Sequence, residues 1–184
     1  MNKKELGKLY PITVVPYDAS WPSIYEKEQE DLVKILGAEI ALRIEHIGST
    51  AVPGLSAKPT IDILVEIPEE TDIREKIIHV MDQNGYIHMK EQENHLMFVK
   101  GYTPAGLDNV SFHIHMGTKT QDFLWERLYF RDFLRGNPSA ASEYAKLKRR
   151  SAIIYKHDRE AYTESKADFV HAVTDLAKEL NKTN

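Results

Sequence analysis

Residues 44–65 read IEHIGSTAVPGLSAKPTIDILV and concentrate polar groups between two apolar runs. Residues 41–47 and 60–67 are apolar and β-prone, which predicts two strands, the second of them buried on both faces. The loop between them contains two glycines and two prolines. Glycine lets the backbone approach a bulky group closely, so the amides and hydroxyls of Gly48, Ser49 and Thr50 are predicted to hold phosphate oxygens.

Two charged side chains accompany this loop. Lys58 supplies a mobile positive charge close to the predicted phosphate site. Asp62 places a carboxylate inside an otherwise apolar strand. Because burying an unpaired carboxylate is costly, we expect Asp62 either to cap a loop or to point into a site.

The same residues carry a resemblance to known families. The spacing of hydrophobic-Gly-Ser, twelve residues and then Asp-hydrophobic resembles the opening motif of the nucleotidyltransferase superfamily, the fold of DNA polymerase β. A closer match is the signature of the GrpB-like proteins, a bacterial family, which segments 46–55, 57–59 and 61–63 resemble. Other segments extend this resemblance over nearly the whole chain: Tyr17-Asp18, Trp21-Pro22, His113-Ile114-His115, residues 130–135, residues 144–148, and Tyr162 with Lys166.

The resemblance implies an α/β (α+β) fold, a nucleotidyltransferase-like mixed β-sheet with flanking helices and a helical C-terminal third. It implies a single GrpB-like domain over residues 1–184, whose helical wall occupies residues 120–184 approximately. The length of 184 residues, with 42% hydrophobic and 28% charged residues, is that of one globular domain.

Position 64 departs from the superfamily pattern. Active members place two carboxylates as Asp-x-Asp or Asp-x-Glu, because side chains two apart on a strand share a face and can jointly hold Mg²⁺. Here Asp62 is followed at the second position by Leu64. The usual two-metal transfer to a hydroxyl would therefore lose one of its anchors.

The second informative feature is His113-Ile114-His115, in a strand predicted over residues 109–116. Both imidazoles project to one face, where they could contact one metal ion or one phosphate. For this short motif alone, we favour the alternative that one histidine is buried and hydrogen-bonded while the other is solvated. The resemblance places the strand beside Asp62, and so implies a metal set of Asp62, His113 and His115, with Asp62 and His115 catalytic.

Imidazole ligands favour Zn²⁺, Mn²⁺, Ni²⁺ or Fe²⁺ over Mg²⁺. We therefore expect a divalent metal cofactor, with Mn²⁺, Mg²⁺ and Zn²⁺ all left open. The other histidines singled out, His79, His88 and His95, have no partners at metal-ligand spacing and are interpreted as surface or structural residues.

Arg131 and Arg135 lie one turn apart on a predicted helix. From the sequence alone, a solvated face or ion pairs with neighbouring acids such as Asp132 are favoured over a ligand clamp. The resemblance instead implies that Arg131 binds phosphate, together with Tyr162 and Lys166, which lie four residues apart on the last helix.

Periodicity predicts the remaining elements. A helix capped by Ser20 places Trp21 in the core, an interpretation favoured over a role for Trp21 in the wall of the site. Pro68 and Thr71 introduce a second helix, and a hairpin follows. The predicted ranges are strands over 86–91 and 95–100, a loop over 101–107, and helices over 120–135, 138–156 and 159–181.

Composition excludes several classes of function. The absence of cysteine excludes disulfides, thiol catalysis and cysteine-bound zinc. The net charge of −4 and the pI near 6.1 argue against duplex nucleic acid or an anionic membrane as a partner. Residues 1–5 lead into no apolar stretch and no run reaches the length of a membrane span, so a cytoplasmic location is expected. No feature indicates an oligomeric state.

Two classes of function remain. In the first, the protein is a nucleotidyltransferase-like enzyme: Asp62 and His115 hold a metal, and Arg131 stabilises charge in the transition state. In the second, it is a non-catalytic nucleotide-binding module, as Leu64 suggests. Both imply a phosphate-bearing small molecule, expected to be a nucleotide, as the partner. Both also predict convergence on one cleft of Ser49, Asp62, His115 and at least one of Arg131 and Lys166.

Overall fold

The computed structural model describes residues 3–70, 72–90 and 92–182. Within them, the strands are β1 (Arg43–Ile47), β2 (Thr60–Glu66), β3 (Ile87–His88), β4 (Leu96–Thr103) and β5 (Gly106–Gly117). The helices are α1 (Lys3–Leu9), α2 (Trp21–Leu36), α3 (Ile73–Gln83), α4 (Asp122–Gly136), α5 (Pro138–Ile154), α6 (Arg159–Glu164) and α7 (Ala167–Lys182). A 3₁₀ turn, Ser49–Ala51, follows β1.

The five strands form one mixed sheet in the order β1-β2-β5-β4-β3. β2 and β5 run parallel at its centre, and the other neighbouring pairs are antiparallel. The predicted mixed sheet with flanking helices and a helical C-terminal part is confirmed. None of the helices in the described ranges is both long enough and apolar enough to cross a membrane.

Alternation along the central strands divides the sheet into an apolar and a polar face. Ile61, Ile63 and Val65 of β2 belong to the main buried cluster, together with Ile114 and Met116 of β5. Helices α2 and α3 cover this face with Trp21, Leu32, Leu36, Ile77 and Met81. The interpretation of Trp21 as a core aromatic is confirmed, since 1% of it is exposed.

The opposite face carries the residues that alternate with them. Asp62 and Leu64 of β2 are paired in register with His113 and His115 of β5. Leu64 is completely buried against Leu124 of α4, whereas the side chain of Asp62 keeps 28% of its surface exposed. Position 64 is therefore part of a hydrophobic contact between the sheet and a helix, and Asp62 lies beyond the edge of that contact.

Three local predictions are wrong. Ser20 does not cap α2 with its side chain; its amide and hydroxyl instead donate to Asp18 Oδ1, at 2.8 and 2.7 Å. The predicted loop 101–107 is mostly strand, because Tyr102 pairs with Leu107 across a tight turn. The helix predicted over 159–181 is divided into α6 and α7 at Ser165, whose hydroxyl donates to the Tyr162 carbonyl.

Two further predictions concern the region before β4. The strand predicted over 86–91 is shorter, since β3 contains Ile87 and His88 alone. Thr71, expected to introduce α3, and Glu91, the predicted end of that strand, lie outside the described residues.

The burial of Leu64 gives a stability prediction. Leu64→Asp should lower the free energy of unfolding by about 3–5 kcal/mol, the usual cost of leaving a buried charge uncompensated. Leu64→Met, which conserves volume, should cost less than about 1.5 kcal/mol. Urea unfolding of both variants measures the difference, and equal stabilities would contradict the packing described for Leu64.

Candidate functional site

The turn after β1 brings backbone directly against Asp62. Gly48 has a φ of 72°, a region that other residues rarely adopt. A β-carbon at this position would collide with Asp62 Oδ2. The loop can therefore lie against the carboxylate because residue 48 has no side chain.

A chain of hydrogen bonds holds Asp62 from the other side. His113 Nδ1 lies 3.2 Å from Asp62 Oδ1, and His113 Nε2 lies 2.8 Å from the Tyr102 hydroxyl. Arg159 Nη2 donates to the same hydroxyl oxygen at 2.9 Å. A carboxylate only accepts hydrogen bonds, so the His113 proton belongs on Nδ1 and Nε2 accepts from Tyr102. Tyr102 and Arg159 thus orient the imidazole toward Asp62.

Asp62 is kept ionised by this arrangement. Burial acts to raise its pKa, but the hydrogen bond from His113, with the positive charges of Lys58 and Arg127, outweighs burial and holds the pKa below its usual range. Asp62 therefore presents a negative charge at the end of the loop.

Three lysines lie near this carboxylate and are strongly perturbed. Burial lowers the pKa of Lys58 to about 8 and the pKa values of Lys148 and Lys166 to about 7. Repulsion among neighbouring cations, including Arg159 for Lys58, contributes to these lowered values, while Asp62 acts in the opposite direction on all three. One carboxylate does not neutralise three lysines, so the group of charges retains a net positive charge when the lysines are protonated.

Two tyrosine rings support the ammonium groups. Lys166 Nζ lies 3.5 Å from the Tyr162 ring centroid and Lys58 Nζ lies 5.5 Å from it. Lys148 Nζ lies 4.7 Å from the centroid of Tyr144 and donates to the Ser56 carbonyl. Burial raises the pKa of Tyr162 to about 12, so the ring remains a neutral phenol. Cation–π contacts replace part of the lost hydration without neutralising the charge.

The loop and the C-terminal helices meet at Ser49. Its hydroxyl is hydrogen-bonded to the hydroxyl of Tyr144 on α5, whose pKa is raised, chiefly by burial. The structure therefore brings together seven of the predicted site residues: Gly48, Ser49, Lys58, Asp62, His113, Tyr162 and Lys166. We call this group, with Lys148 and Tyr144, the cationic cleft.

Three predicted site residues have other partners. The Thr50 hydroxyl donates to the Thr60 carbonyl at 3.1 Å and lies 3.0 Å from His46 Nε2. Thr50 is buried, so its hydroxyl joins the loop to β2 instead of pointing into the cleft. Burial lowers the pKa of His46 to about 4, which keeps that imidazole neutral near pH 7.

Arg131 is held by ion pairs, which is the alternative that the sequence alone favoured. Its Nη1 donates to Glu45 Oε2 at 2.8 Å and to the His46 carbonyl at 3.0 Å. Its Nε and Nη2 donate to Asp132 at 2.7 and 3.1 Å. With two carboxylates already bound, Arg131 fixes α4 to β1, and a phosphate contact would require breaking these bonds.

His115 lies one pleat further along β5, beside Leu64. Its Nδ1 is 3.0 Å from His95 Nε2, and burial lowers the pKa of His115 well below its ordinary value. His95 is structural, as interpreted from the sequence, and is 4% exposed. Of the two histidines in the motif, the structure thus places His113 against Asp62, and His115 in a neutral pair behind it.

These positions bear on the predicted metal set. Within the three described ranges, no group of three or more His, Asp or Glu side chains is arranged to hold a metal ion. Asp62 faces His113, while His115 faces His95. Imidazole and carboxylate donors are thus present, but they bond to each other instead of pointing at a common centre.

Sequence reasoning did not single out several residues of this region. Tyr144 and Lys148 lie four apart in segment 144–148, which carried the family resemblance, so a signal for them existed. Tyr102, Arg127 and Arg159 are far from Asp62 in sequence and carry no local motif. Their roles depend on tertiary contacts across β4, α4 and α6.

The fold and this cleft define an α/β protein with a cationic site beside the central strand. Comparison with known proteins then gives the family. The sequence pattern of the family described as GrpB protein matches residues 11–176, and this chain belongs to that family. The predicted family is confirmed.

Individual proteins agree with this assignment. A UPF0157 protein of Pseudomonas aeruginosa is 40% identical over 161 residues, which are 86% of this chain and 64% of that protein. The crystal structure of GrpB from Enterococcus faecalis has a TM-score of 0.80 at 30% identity, covering 92% of this chain and 99% of that chain. The Cid1 poly(U) polymerase gives a TM-score of 0.44 at 10% identity, covering 80% and 47%.

The hydrogen-bond chain predicts a histidine tautomer. Histidine nitrogen NMR should show that the neutral form of His113 carries its proton on Nδ1. Tyr102→Phe removes the hydroxyl that Nε2 accepts from, so the His113 Nε2 resonance should move. His46, which should carry its proton on Nε2 because the Thr50 hydroxyl is already donating, serves as the internal control. A His113 proton on Nε2 would contradict the proposed orientation.

The lysines predict a pH dependence of stability. Their pKa values of about 7–8 in the folded protein lie below the ordinary 10.5, so the unfolded chain binds more protons between these limits. The free energy of unfolding should therefore rise as the pH increases from about 7 to 10. Lys166→Met should reduce that rise. Lys146→Met, at an exposed position of α5, should leave it unchanged. Chemical denaturation across this range measures the slope.

Proposed function

We propose that the cationic cleft binds a phosphate-bearing small molecule, of which a nucleotide is the expected case. The observation that carries this proposal is the gathering of Lys58, Lys148 and Lys166 over two tyrosine rings beside one carboxylate, where burial lowers the pKa of all three lysines. Cations lose protons in this way when burial removes water and no counter-charge replaces it. A phosphate group supplies that charge, and its binding would restore the ordinary protonation of the lysines.

The loop provides the complementary polar groups. The 3₁₀ turn that begins at Ser49 follows Gly48, whose conformation exposes backbone at the edge of the cleft. Amides in such turns favour anions. The Ser49 hydroxyl, hydrogen-bonded to Tyr144, lies between the loop and the lysines of the helices. Phosphate oxygens placed here would be approached by the loop on one side and by ammonium groups on the other.

The metal proposed by the resemblance fits these residues poorly. A divalent ion with hard oxygen preference needs several anionic or carbonyl ligands. Leu64, buried in place of the second acid, provides none, and His115 is bonded to His95. Asp62 and His113 remain, and they satisfy each other. The lysines therefore take the role of phosphate counter-ion in this proposal, and a metal-dependent transferase is the alternative to be tested.

A second candidate is metal-free transfer of a phosphoryl or nucleotidyl group to a hydroxyl. The favouring observation is that Asp62 accepts a hydrogen bond from His113 and lies against the backbone of Gly48, and that these surroundings lower its pKa. In that step Asp62 would accept the hydroxyl proton as the hydroxyl oxygen bonds to phosphorus and the bond from phosphorus to the leaving group breaks, which releases pyrophosphate in nucleotidyl transfer or the nucleoside diphosphate in phosphoryl transfer. The non-catalytic binding module requires none of this, and is the primary proposal.

Calorimetric titration with tripolyphosphate and with ATP tests the binding proposal. Lys166→Met should weaken both by roughly 10–100-fold, which corresponds to the 1.5–3 kcal/mol of a hydrogen bond to a charged group. Lys146→Met, the exposed control, should bind as the unsubstituted protein does. At pH 8, binding should take up protons, because an anion raises the lysine pKa values; titration in buffers of different ionisation enthalpy measures that uptake.

Asp62→Asn separates the candidates. In a metal-free module the variant should bind ATP more tightly, because a carboxylate no longer repels the phosphates. If ATP binding instead needs both Mn²⁺ and Asp62, the lysine-based proposal is wrong and the metal-dependent alternative is correct. Turnover that Asp62→Asn abolishes without weakening ATP binding would establish the transferase.

A further inference from the structure

A further cavity is lined by Lys58, whose ammonium group also lies over the Tyr162 ring. It has a volume of about 360 Å³ and lies between the segment before α2, the start of β2 and the turn joining β4 to β5. That volume falls within the range of roughly 300–1,000 Å³ typical of small-molecule sites, and exceeds what a single ion needs.

Arg159 gives this cavity a cation with neutral partners. Its Nη1 donates to the Tyr10 carbonyl at 3.1 Å, and its Nη2 donates to the Tyr102 hydroxyl at 2.9 Å. Among the residues that the structure describes, no carboxylate forms an ion pair with it within 4.0 Å. Guanidinium groups are usually paired with carboxylates or phosphates when they are held in place this way.

Lys58 lines the same cavity, so two cations face one concave surface. Their repulsion is one reason for the lowered pKa of Lys58. Asp108 is the acid among the lining residues; it is exposed and lies in β5, just after the turn. The electrostatic balance of the cavity thus favours an anionic occupant.

The remaining walls combine hydroxyl and apolar groups. Thr60 and Ser111, whose hydroxyls are 2.9 Å apart, form the part contributed by the central strands. Pro59 and Leu107 supply apolar surface. Such a lining suits the carbon skeleton of an organic molecule better than a fully hydrated ion.

We propose that this cavity binds a second small organic molecule bearing one carboxylate or phosphate group, with Arg159 as its counter-ion. Apart from Lys58, which belongs to both, the residues that line this cavity are different from those of the cationic cleft. Under the transferase candidate, this position is where an acceptor would lie; under the binding-module proposal, it is an independent ligand site. The inference therefore survives either outcome for the cleft.

Amide NMR titration tests the proposal. Tripolyphosphate is first added to saturate the cationic cleft, and glycerol 3-phosphate or butyrate is then titrated to distinguish phosphate from carboxylate. Shifts are expected at Thr60, Gly106, Leu107 and Ser111. Arg159→Gln should weaken the affinity for the probe by about ten-fold or more, the loss expected for one charge-assisted hydrogen bond. Arg150→Gln, at an exposed site on α5, removes the same charge and should change nothing.

Leu107→Trp gives an independent check, because a larger side chain should fill the cavity and abolish these shifts while tripolyphosphate still binds. Probe shifts confined to Gly48 and Ser49, equal affinities for Arg159→Gln and the unsubstituted protein, or no response to either probe would overturn the inference. Failure of tripolyphosphate to bind would instead refute the function proposed for the cleft, and the probes would then be titrated alone.

Discussion

The structure around the loop depends on the charge of one carboxylate. Asp62 attracts the neighbouring cations. Its negative charge opposes the lowering of the pKa values of Lys58, Lys148, Lys166 and Arg127 by burial. The carboxylate in turn is held by His113 and lies against the backbone at Gly48. Because a buried charge without partners is so costly, elements far apart in sequence are fixed around this one group. The same dependence leaves the site with more positive charge than one carboxylate can offset.

Strand alternation explains why the carboxylate is available at all. Ile61 and Ile63 anchor β2 in the main core, which forces Asp62 to the opposite face. On that face Leu64 packs under α4, so the helix covers this end of β2 and leaves Asp62 partly exposed. A second acid at position 64 would have to lie under the helix. The absence of a second acid two residues after Asp62 and the close packing of α4 are therefore two aspects of the same contact.

The sequence was sufficient for the parts that depend on local pattern. Apolar runs on either side of the Gly48-Ser49 loop predicted β1 and β2, which the structure contains. That Asp62 belongs to a functional site stays a prediction. Residues whose partners are distant were a different matter. Arg131 has the same local pattern whether it meets phosphate or Glu45, and the two histidines of His113-Ile114-His115 are separated only by register and by His95. Tertiary contacts decide these cases, and no spacing rule encodes them.

Leu64 supplies no metal ligand, and this limits how the proposed cleft could bind a phosphate. A metal-dependent site neutralises phosphate with a divalent ion held by paired carboxylates, and its affinity follows the supply of that ion. In the proposed function, the neutralising charge belongs to lysines whose pKa values lie near neutrality, so affinity would follow pH instead. Lys166 and Lys58 both lie over the Tyr162 ring, which stabilises their charge without neutralising it. Because the aromatic ring carries no net negative charge, both ammonium groups can still attract an anion. Leu64 therefore fits a binding mode in which lysines, and not a metal ion, neutralise the phosphate.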